Sequence, residues 1–70
     1  MAVARITRVV GTSPVSFQDA LEEGFKRAKR TLRGITDIDV ISQKVRIENN
    51  EIKEYVVEMD ITFVLEDTVG

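Results

Sequence analysis

Apolar and polar residues alternate along residues 53–65, KEYVVEMDITFVL. Every second position from Tyr55 to Leu65 is apolar, and carboxylates and β-branched residues lie between them. This period of two predicts a strand, because successive side chains of a strand point to opposite faces of the sheet. The apolar face is expected to be buried, and the mixed face is expected to be wet or shared with a partner. The rest of the chain has to cover the apolar face.

Residues 3–10, VARITRVV, are rich in β-branched side chains and predict a first strand that ends at Gly11. Apolar residues occupy both parities of this strand, so the pattern leaves its face assignment open. Arg5 and Arg8 have opposite parity. One of the two arginines therefore projects from the outer face in either register.

A helical period replaces the alternation from Phe17 onward, and predicts one amphipathic helix that ends near Arg33 with Gly34 as its C-terminal cap. Ser16 is the expected N-cap because Asp19 follows it three residues later, as in a capping box, and Ser13 is the alternative. The apolar or small residues of the stripe are Phe17, Ala20, Leu21, Gly24, Phe25, Ala28, Thr31, Leu32 and Ile35.

The charges of this helix are segregated, with acids in its first half and bases in its second, which complements the helix dipole. Glu22 with Lys26 and Glu23 with Arg27 have the spacing of i,i+4 ion pairs. The basic run KRAKR resembles a nucleic-acid patch. Because the whole chain is acidic, a solvated helix end is the preferred interpretation.

Residues 35–47 predict the second strand, and Glu48-Asn49-Asn50-Glu51 predicts a two-residue hairpin turn, since asparagine tolerates positive φ. This turn fixes a register for the hairpin. On the core face the predicted cross-strand pairs are Ile47 with Ile52, Val40 with Met59, and Ile38 with Ile61. On the outer face they are Asp39 with Asp60 and Ile41 with Glu58.

Asp39 and Asp60 are thus predicted to oppose one another, and like charges in that position are destabilising. We therefore expect a cation between them. The candidates are an arginine from strand 1, a basic side chain from a neighbouring subunit, or a bound Ca²⁺ or Mg²⁺ ion, which prefer oxygen ligands.

The order of elements predicts an α+β fold in one domain, residues 1–70, with β-α-β-β topology. A right-handed crossover with strand 3 inserted between the other two gives a three-stranded antiparallel sheet of order 1-3-2, wrapped on one helix. The other sheet face has no cover of its own. Self-association into a closed homo-oligomer is the expected solution.

Composition narrows the function. A formal charge of −2 and a pI near 5.0 argue against nucleic acid as the main partner. The chain has no cysteine and no histidine, which removes thiolate metal sites and the commonest general base. No run approaches a membrane span and the N-terminus lacks a signal-peptide core, so a cytoplasmic protein without membrane contact is expected. The mid-strand carboxylates have no supporting His, Cys or phosphate loop, and no enzymatic activity is predicted.

The run VVGTSPVSFQDALEEGFKRA, the βαββ order and the ending FVLED resemble the dodecin family of small flavin-binding proteins that assemble as hollow dodecamers. The most specific piece is Val10-Gly11-Thr12-Ser13 followed by the amphipathic helix. The resemblance implies twelve copies in a closed shell, and sequestration of riboflavin or FMN rather than turnover of a substrate.

The resemblance also implies two pocket positions. Flavin-binding members place a tryptophan early in strand 2 and a glutamine on strand 3, and the corresponding residues here are Asp37 and Val56. A carboxylate cannot replace an aromatic stacking surface, so weak or absent flavin binding is predicted. Three hypotheses follow: a shell that sequesters a small planar ligand through a modified pocket, a flavin-free structural or cation-binding shell, and a protein-interaction module.

Overall fold

The computed structural model describes residues 3–65 and confirms the predicted topology. Strand β1 (Val3–Ser13) is followed by helix α1 (Phe17–Ala28), strand β2 (Ile35–Glu48) and strand β3 (Glu51–Leu65). The strands form one antiparallel sheet of order β1-β3-β2. None of the helices within the described residues is long and apolar enough to cross a membrane.

Strand β1 continues through Gly11, where the sequence predicted its end. Gly11 lies where α1 approaches the strand, and a Cβ atom there would collide with the carbonyl oxygen of Ala20. The glycine therefore permits close packing of helix on strand rather than a break in the chain. The sequence left open which side chains of β1 point outward. In the structure Arg8 lies opposite Asp60, on the outer face of the sheet.

Helix α1 begins as predicted, with the Ser16 hydroxyl accepting a hydrogen bond from the backbone N–H of Asp19 at 3.0 Å. Ser13, the alternative cap, is buried and supports the same turn by donating to Asp19 Oδ2 at 2.6 Å. The acid of the predicted capping box thus bonds the hydroxyl of Ser13.

The prediction that the helix reaches Arg33 is wrong, because α1 ends at Ala28. The amides of Arg30 and Thr31 bond to carbonyls only three residues back, which is the geometry of a tight turn. Leu32 still packs on the core from this turn, so the apolar stripe continues beyond the helix. Gly34, predicted as the helix cap, has φ +72° in the connection to β2, and its carbonyl accepts from Val64 N–H at 2.9 Å.

The hairpin turn is confirmed, since Asn49 and Asn50 have φ angles of 54° and 64°. The pairs Ile47 with Ile52, Val40 with Met59, Ile38 with Ile61 and Asp39 with Asp60 all occur. The predicted pair of Ile41 with Glu58 is wrong, because Ile41 is an extra residue in β2 and Ser42 lies opposite Glu58. A second extra residue, Lys53 in β3, restores the predicted register near the turn.

The core lies between α1 and the sheet, and Met59, Ile61 and Val57 of β3 are its largest fully buried side chains. Ala20 and Ala28 bring α1 close to them, and the edge of the Phe17 ring meets Tyr55 at 5.0 Å between centroids. The helix packs on β1 and β3 and leaves much of β2 uncovered. Large apolar side chains on the β2–β3 hairpin are therefore exposed, namely Val40, Ile41, Val45, Ile47 and Ile52.

Candidate functional site

The start of β2 is the candidate site, because it carries Asp37 and is flanked by two clefts. Thr36 is an extra residue relative to β3, so the strand bulges between Ile35 and Asp37. Bulges re-aim side chains at strand ends. The bulge at Thr36 and the positive φ of Gly34 mark the point where the α1–β2 connection ends and the regular pairing of β2 with β3 begins.

The larger cleft has a volume of about 620 Å³ and lies between the α1–β2 connection and the end of β3. Its floor is apolar and includes Leu32, Ile35 and Phe63, and Thr31, Arg33 and Thr36 contribute the polar groups. The smaller cleft has a volume of about 340 Å³ and lies between α1 and the start of β2. Its lining residues are Phe25, Ile35, Thr36, Asp37 and Ile38.

Asp37 is exposed beside the smaller cleft. Its Oδ2 accepts a hydrogen bond from the Thr36 hydroxyl at 3.0 Å. Within residues 3–65, no lysine or arginine nitrogen lies within 4.0 Å of this carboxylate. The other side chains around the cleft are mostly apolar, so the Asp37 carboxylate, which has no ion pair among residues 3–65, borders an apolar and aromatic wall.

Val56, the second predicted pocket position, lies elsewhere. It is 2% exposed and is paired with Thr12 on one side and Lys44 on the other. Asp37 is opposite Thr62, six residues further along β3. At roughly 3.3 Å per residue the two rows are about 20 Å apart, so one protomer does not bring Asp37 and Val56 together.

The outer face of the sheet carries a polar cluster around Asp60. Arg8 donates from Nε to Asp60 Oδ1 at 2.7 Å and from Nη2 to Oδ2 at 3.1 Å. Arg8 Nη1 also lies 3.6 Å from Glu58 Oε2, and the Ser42 hydroxyl donates to Glu58 Oε1 at 3.1 Å. An arginine from strand 1 was one of the cations expected beside the opposed carboxylates, and Arg8 takes that place at Asp60.

This ion pair changes the electrostatics of both partners. The hydrogen bond from Arg8 lowers the pKa of Asp60, and the attraction of the guanidinium adds to that shift. The hydrogen bond to Asp60 and its charge raise the pKa of Arg8 further, so the guanidinium stays charged. Asp39 lies opposite Asp60 without an ion pair of its own in the described part of the chain. No group of three or more acidic side chains suited to a metal ion occurs among residues 3–65.

The sequence did not predict that Phe25, Ile35 and Ile38 line a cleft with Asp37. The sequence does contain a signal for this cleft. Phe25 and Ile35 belong to the predicted helical stripe, and Ile38 belongs to the core face of the predicted strand 2, so all three are predicted to face the same interior. The stripe alone does not reveal the cleft, because its spacing predicts one helix that continues to Arg33. The earlier helix end leaves an open corner where α1 meets β2.

A family model described as Dodecin matches residues 3–66. Among solved structures, a dodecin from Streptomyces coelicolor is 31% identical, with 96% of each chain covered and a TM-score of 0.90. A point mutant of the Thermus thermophilus dodecin is 31% identical over 97% of this chain and 100% of that chain, with a TM-score of 0.91.

A more distant similarity is to the calcium-chelating antigen of Mycobacterium tuberculosis, calcium dodecin, which is described as having a novel calcium-binding site. It is 25% identical, covers 97% of each chain and has a TM-score of 0.82. The comparison with curated proteins gives no match.

Proposed function

The chain belongs to the dodecin family, and we propose that it forms a closed homododecamer that sequesters a small planar ligand without chemical turnover. The observation that carries this proposal is the uncovered apolar surface of the β2–β3 hairpin. On that hairpin Ile47 is 57% exposed and Ile52 is 56% exposed. Neither belongs to the packed core, although both are large aliphatic side chains.

Further apolar side chains are exposed on the outer face of β1, where Ile6 is 65% exposed and Val10 is 57% exposed. A small protein that exposes such residues on both sides of a thin sheet gains stability by burying them against further copies of itself. A closed arrangement also protects the free edges of β1 and β2 from open-ended pairing. The family expectation of twelve copies satisfies both requirements.

The ligand side of the proposal rests on the start of β2. The family resemblance assigns Asp37 to the position of a stacking aromatic residue, and the proposal is supported by the cleft of about 340 Å³ that Asp37 lines. With a carboxylate at this position, riboflavin or FMN is held weakly or not at all. Storage rather than catalysis is the proposed role, as the family resemblance implies.

A visible absorption spectrum tests this function directly. The protein is purified as the assembled species, and spectra are recorded as isolated and after addition of riboflavin and, separately, FMN, followed by removal of free ligand on a desalting column. After the desalting step, we expect the protein to retain little or no flavin absorption. Tight retention by the unmodified protein would show that residues other than Asp37 and Val56 form a complete flavin site.

A second candidate function is a flavin-free shell that binds Ca²⁺ or Mg²⁺ at Asp39 and Asp60. It is favoured by the direct opposition of these two carboxylates across β2 and β3. Arg8 competes with a metal ion for Asp60. Calorimetric titration with CaCl₂ therefore separates the two candidates: heat of binding that disappears in Asp39→Asn supports the cation site, and its absence rules that site out.

A further inference from the structure

The smaller cleft at the start of β2 combines a negative charge with an apolar wall. Asp37 contributes the carboxylate, and Phe25, Ile35 and Ile38 contribute the wall. All three apolar residues are half-buried, so their remaining surface is available at the cleft. A neutral planar ring would contact the apolar wall but would leave the Asp37 carboxylate without a charged partner.

We propose that this cleft binds a small organic cation with a planar or apolar body, whose positive charge pairs with Asp37. This inference rests on the proposed ligand-sequestering function and names the chemical class of the ligand. The same substitution that removes the stacking surface for a flavin supplies the counter-ion for a cationic ring.

The charge of Asp37 is available for such a ligand. Its one side-chain hydrogen bond partner among the described residues is the Thr36 hydroxyl, which leaves the carboxylate oxygens able to accept further bonds. Asp60 differs, because Arg8 already occupies both of its oxygens. Of these two acids, Asp37 is the one open to an external cation.

The aromatic wall suits the same ligand class. The Nζ atom of Lys29 lies 5.3 Å from the centroid of the Phe25 ring, within the range of a cation–π contact. The ring face already pairs with the Lys29 ammonium, so a bound cation would have to displace this flexible side chain or use the remaining edge of the ring. A ligand that carries its charge next to a flat apolar surface would contact Phe25 and Asp37 together.

The size of the cleft limits the ligand. A volume of about 340 Å³ is at the lower end for small-molecule sites and fits one compact ring system. A polyanion or a phosphorylated ligand is disfavoured, because Asp37 would repel it. These features distinguish the proposal from flavin binding, since riboflavin is neutral and FMN is anionic.

Three fluorescent probes whose tricyclic rings are of similar size test the charge preference: proflavine as the cation, riboflavin as the neutral ring with a ribityl chain and FMN as the anion. Equilibrium dialysis against the assembled full-length protein measures the Kd of each. Proflavine is expected to bind at least about tenfold more tightly than riboflavin, consistent with a charge-assisted contact, and FMN most weakly. The preference is expected to fall at higher salt.

Asp37→Asn is the variant that removes the charge and keeps the shape, and it is expected to abolish the preference for proflavine. Glu51→Gln at the exposed hairpin turn makes the same change in net charge far from the cleft and is expected to keep it. Light scattering first confirms that both variants assemble as the parent does. Proflavine binding that Asp37→Asn leaves unchanged, or riboflavin binding at least as tightly as proflavine, would overturn the inference while leaving the sequestering function intact. Binding of none of the three probes would also overturn the inference, whereas a parent protein that stays monomeric in light scattering would contradict the proposed function itself.

Discussion

Arg8 of β1 and Asp60 of β3 form a two-pronged ion pair across the outer face of the sheet, with Nε 2.7 Å from Oδ1 and Nη2 3.1 Å from Oδ2. The pair lies beside Asp39, which faces Asp60 from β2. The arginine therefore offsets the repulsion that two opposed carboxylates would otherwise cause. This pair joins β1 to β3, and we expect it to make the stability of the sheet sensitive to acid.

The first prediction concerns that sensitivity. The pKa of Asp60 is lower in the folded protein than in the unfolded chain, so its pairing stabilises the fold fully above the ordinary aspartate pKa of about 4 and is lost as the pH falls below it. Arg8 remains charged throughout. Urea unfolding at about pH 6 and about pH 3 is expected to show a smaller loss of stability for Asp60→Asn than for the parent. Glu51→Gln, which removes an exposed carboxylate at the distant hairpin turn, serves as control. An equal loss in the parent and in Asp60→Asn would contradict the role given to this pair.

The second prediction compares two buried glycines. A Cβ at Gly11 would strike the backbone of Ala20, whereas a Cβ at Gly24 would meet the flexible end of Met59, 2.7 Å from Cε. Gly11→Ala is therefore expected to cost about 1–3 kcal/mol or more in the free energy of unfolding, because a backbone must shift. Gly24→Ala is expected to cost less, since the methionine can move and alanine favours the helix by about 1 kcal/mol. Urea unfolding at one fixed protomer concentration measures both. The reverse order would show that helix packing at Gly11 is looser than the structure indicates.

The third prediction concerns the hairpin turn. Asn50 has φ +64°, a conformation that costs a β-branched residue about 1–2 kcal/mol. Asn50→Val is expected to lower the thermal midpoint, and Asn50→Gly to leave it unchanged or raise it, because glycine suits this position of a primed turn. Differential scanning calorimetry at equal concentration checks the order. Equal midpoints for the two variants would mean that the positive φ of residue 50 contributes nothing to the stability of the fold.

The register itself shows how far the sequence could predict this fold. The alternation in β3 and the Asn49-Asn50 turn were sufficient to predict the pairs at both ends of the hairpin. They could not predict the displaced middle, because the extra residues Ile41 and Lys53 compensate one another and leave the overall periodicity intact. A bulge requires no distinctive residue type, so neither Ile41 nor Lys53 signals its bulge in the sequence.

The helix end and the candidate site were less accessible to sequence analysis. Leu32 lies on the helical stripe but packs on the core from a turn, so the pattern alone could not show that α1 ends at Ala28. The resemblance placed Asp37 and Val56 in one pocket. Within one protomer the structure separates them by about 20 Å, because the residue opposite Asp37 lies six residues from Val56 along β3. Two positions this far apart cannot contact the same small ligand.

The fourth prediction follows from that separation. Asp37→Trp is expected to raise flavin affinity through stacking by roughly 1–3 kcal/mol, by analogy with base stacking on aromatic residues. Val56→Gln is expected to add roughly 0.5–1.5 kcal/mol through a hydrogen bond, and only where a ligand lies between protomers, because Val56 of the same chain is out of reach. Fluorescence titration with riboflavin reports binding, since tryptophan quenches flavin emission. Val56→Gln alone is the control. No gain from Asp37→Trp in a correctly assembled variant would show that the position does not face a ligand.

The fifth prediction concerns assembly, which is the central claim of the account. We propose that the exposed apolar residues of the β2–β3 hairpin are buried against further copies in a closed shell of twelve. Replacement of Ile47 with Lys on that hairpin is expected to weaken assembly. Replacement of the exposed Glu51 with Lys at the adjacent turn is the control and is expected to leave assembly intact.

Light scattering coupled to size-exclusion chromatography at micromolar protomer concentration tests this claim most directly. Twelve copies of the 7.9 kDa chain correspond to a particle of about 95 kDa, and the account predicts one monodisperse species near that mass. A stable species at 7.9 kDa would contradict both the argument from the exposed hairpin and the proposed shell.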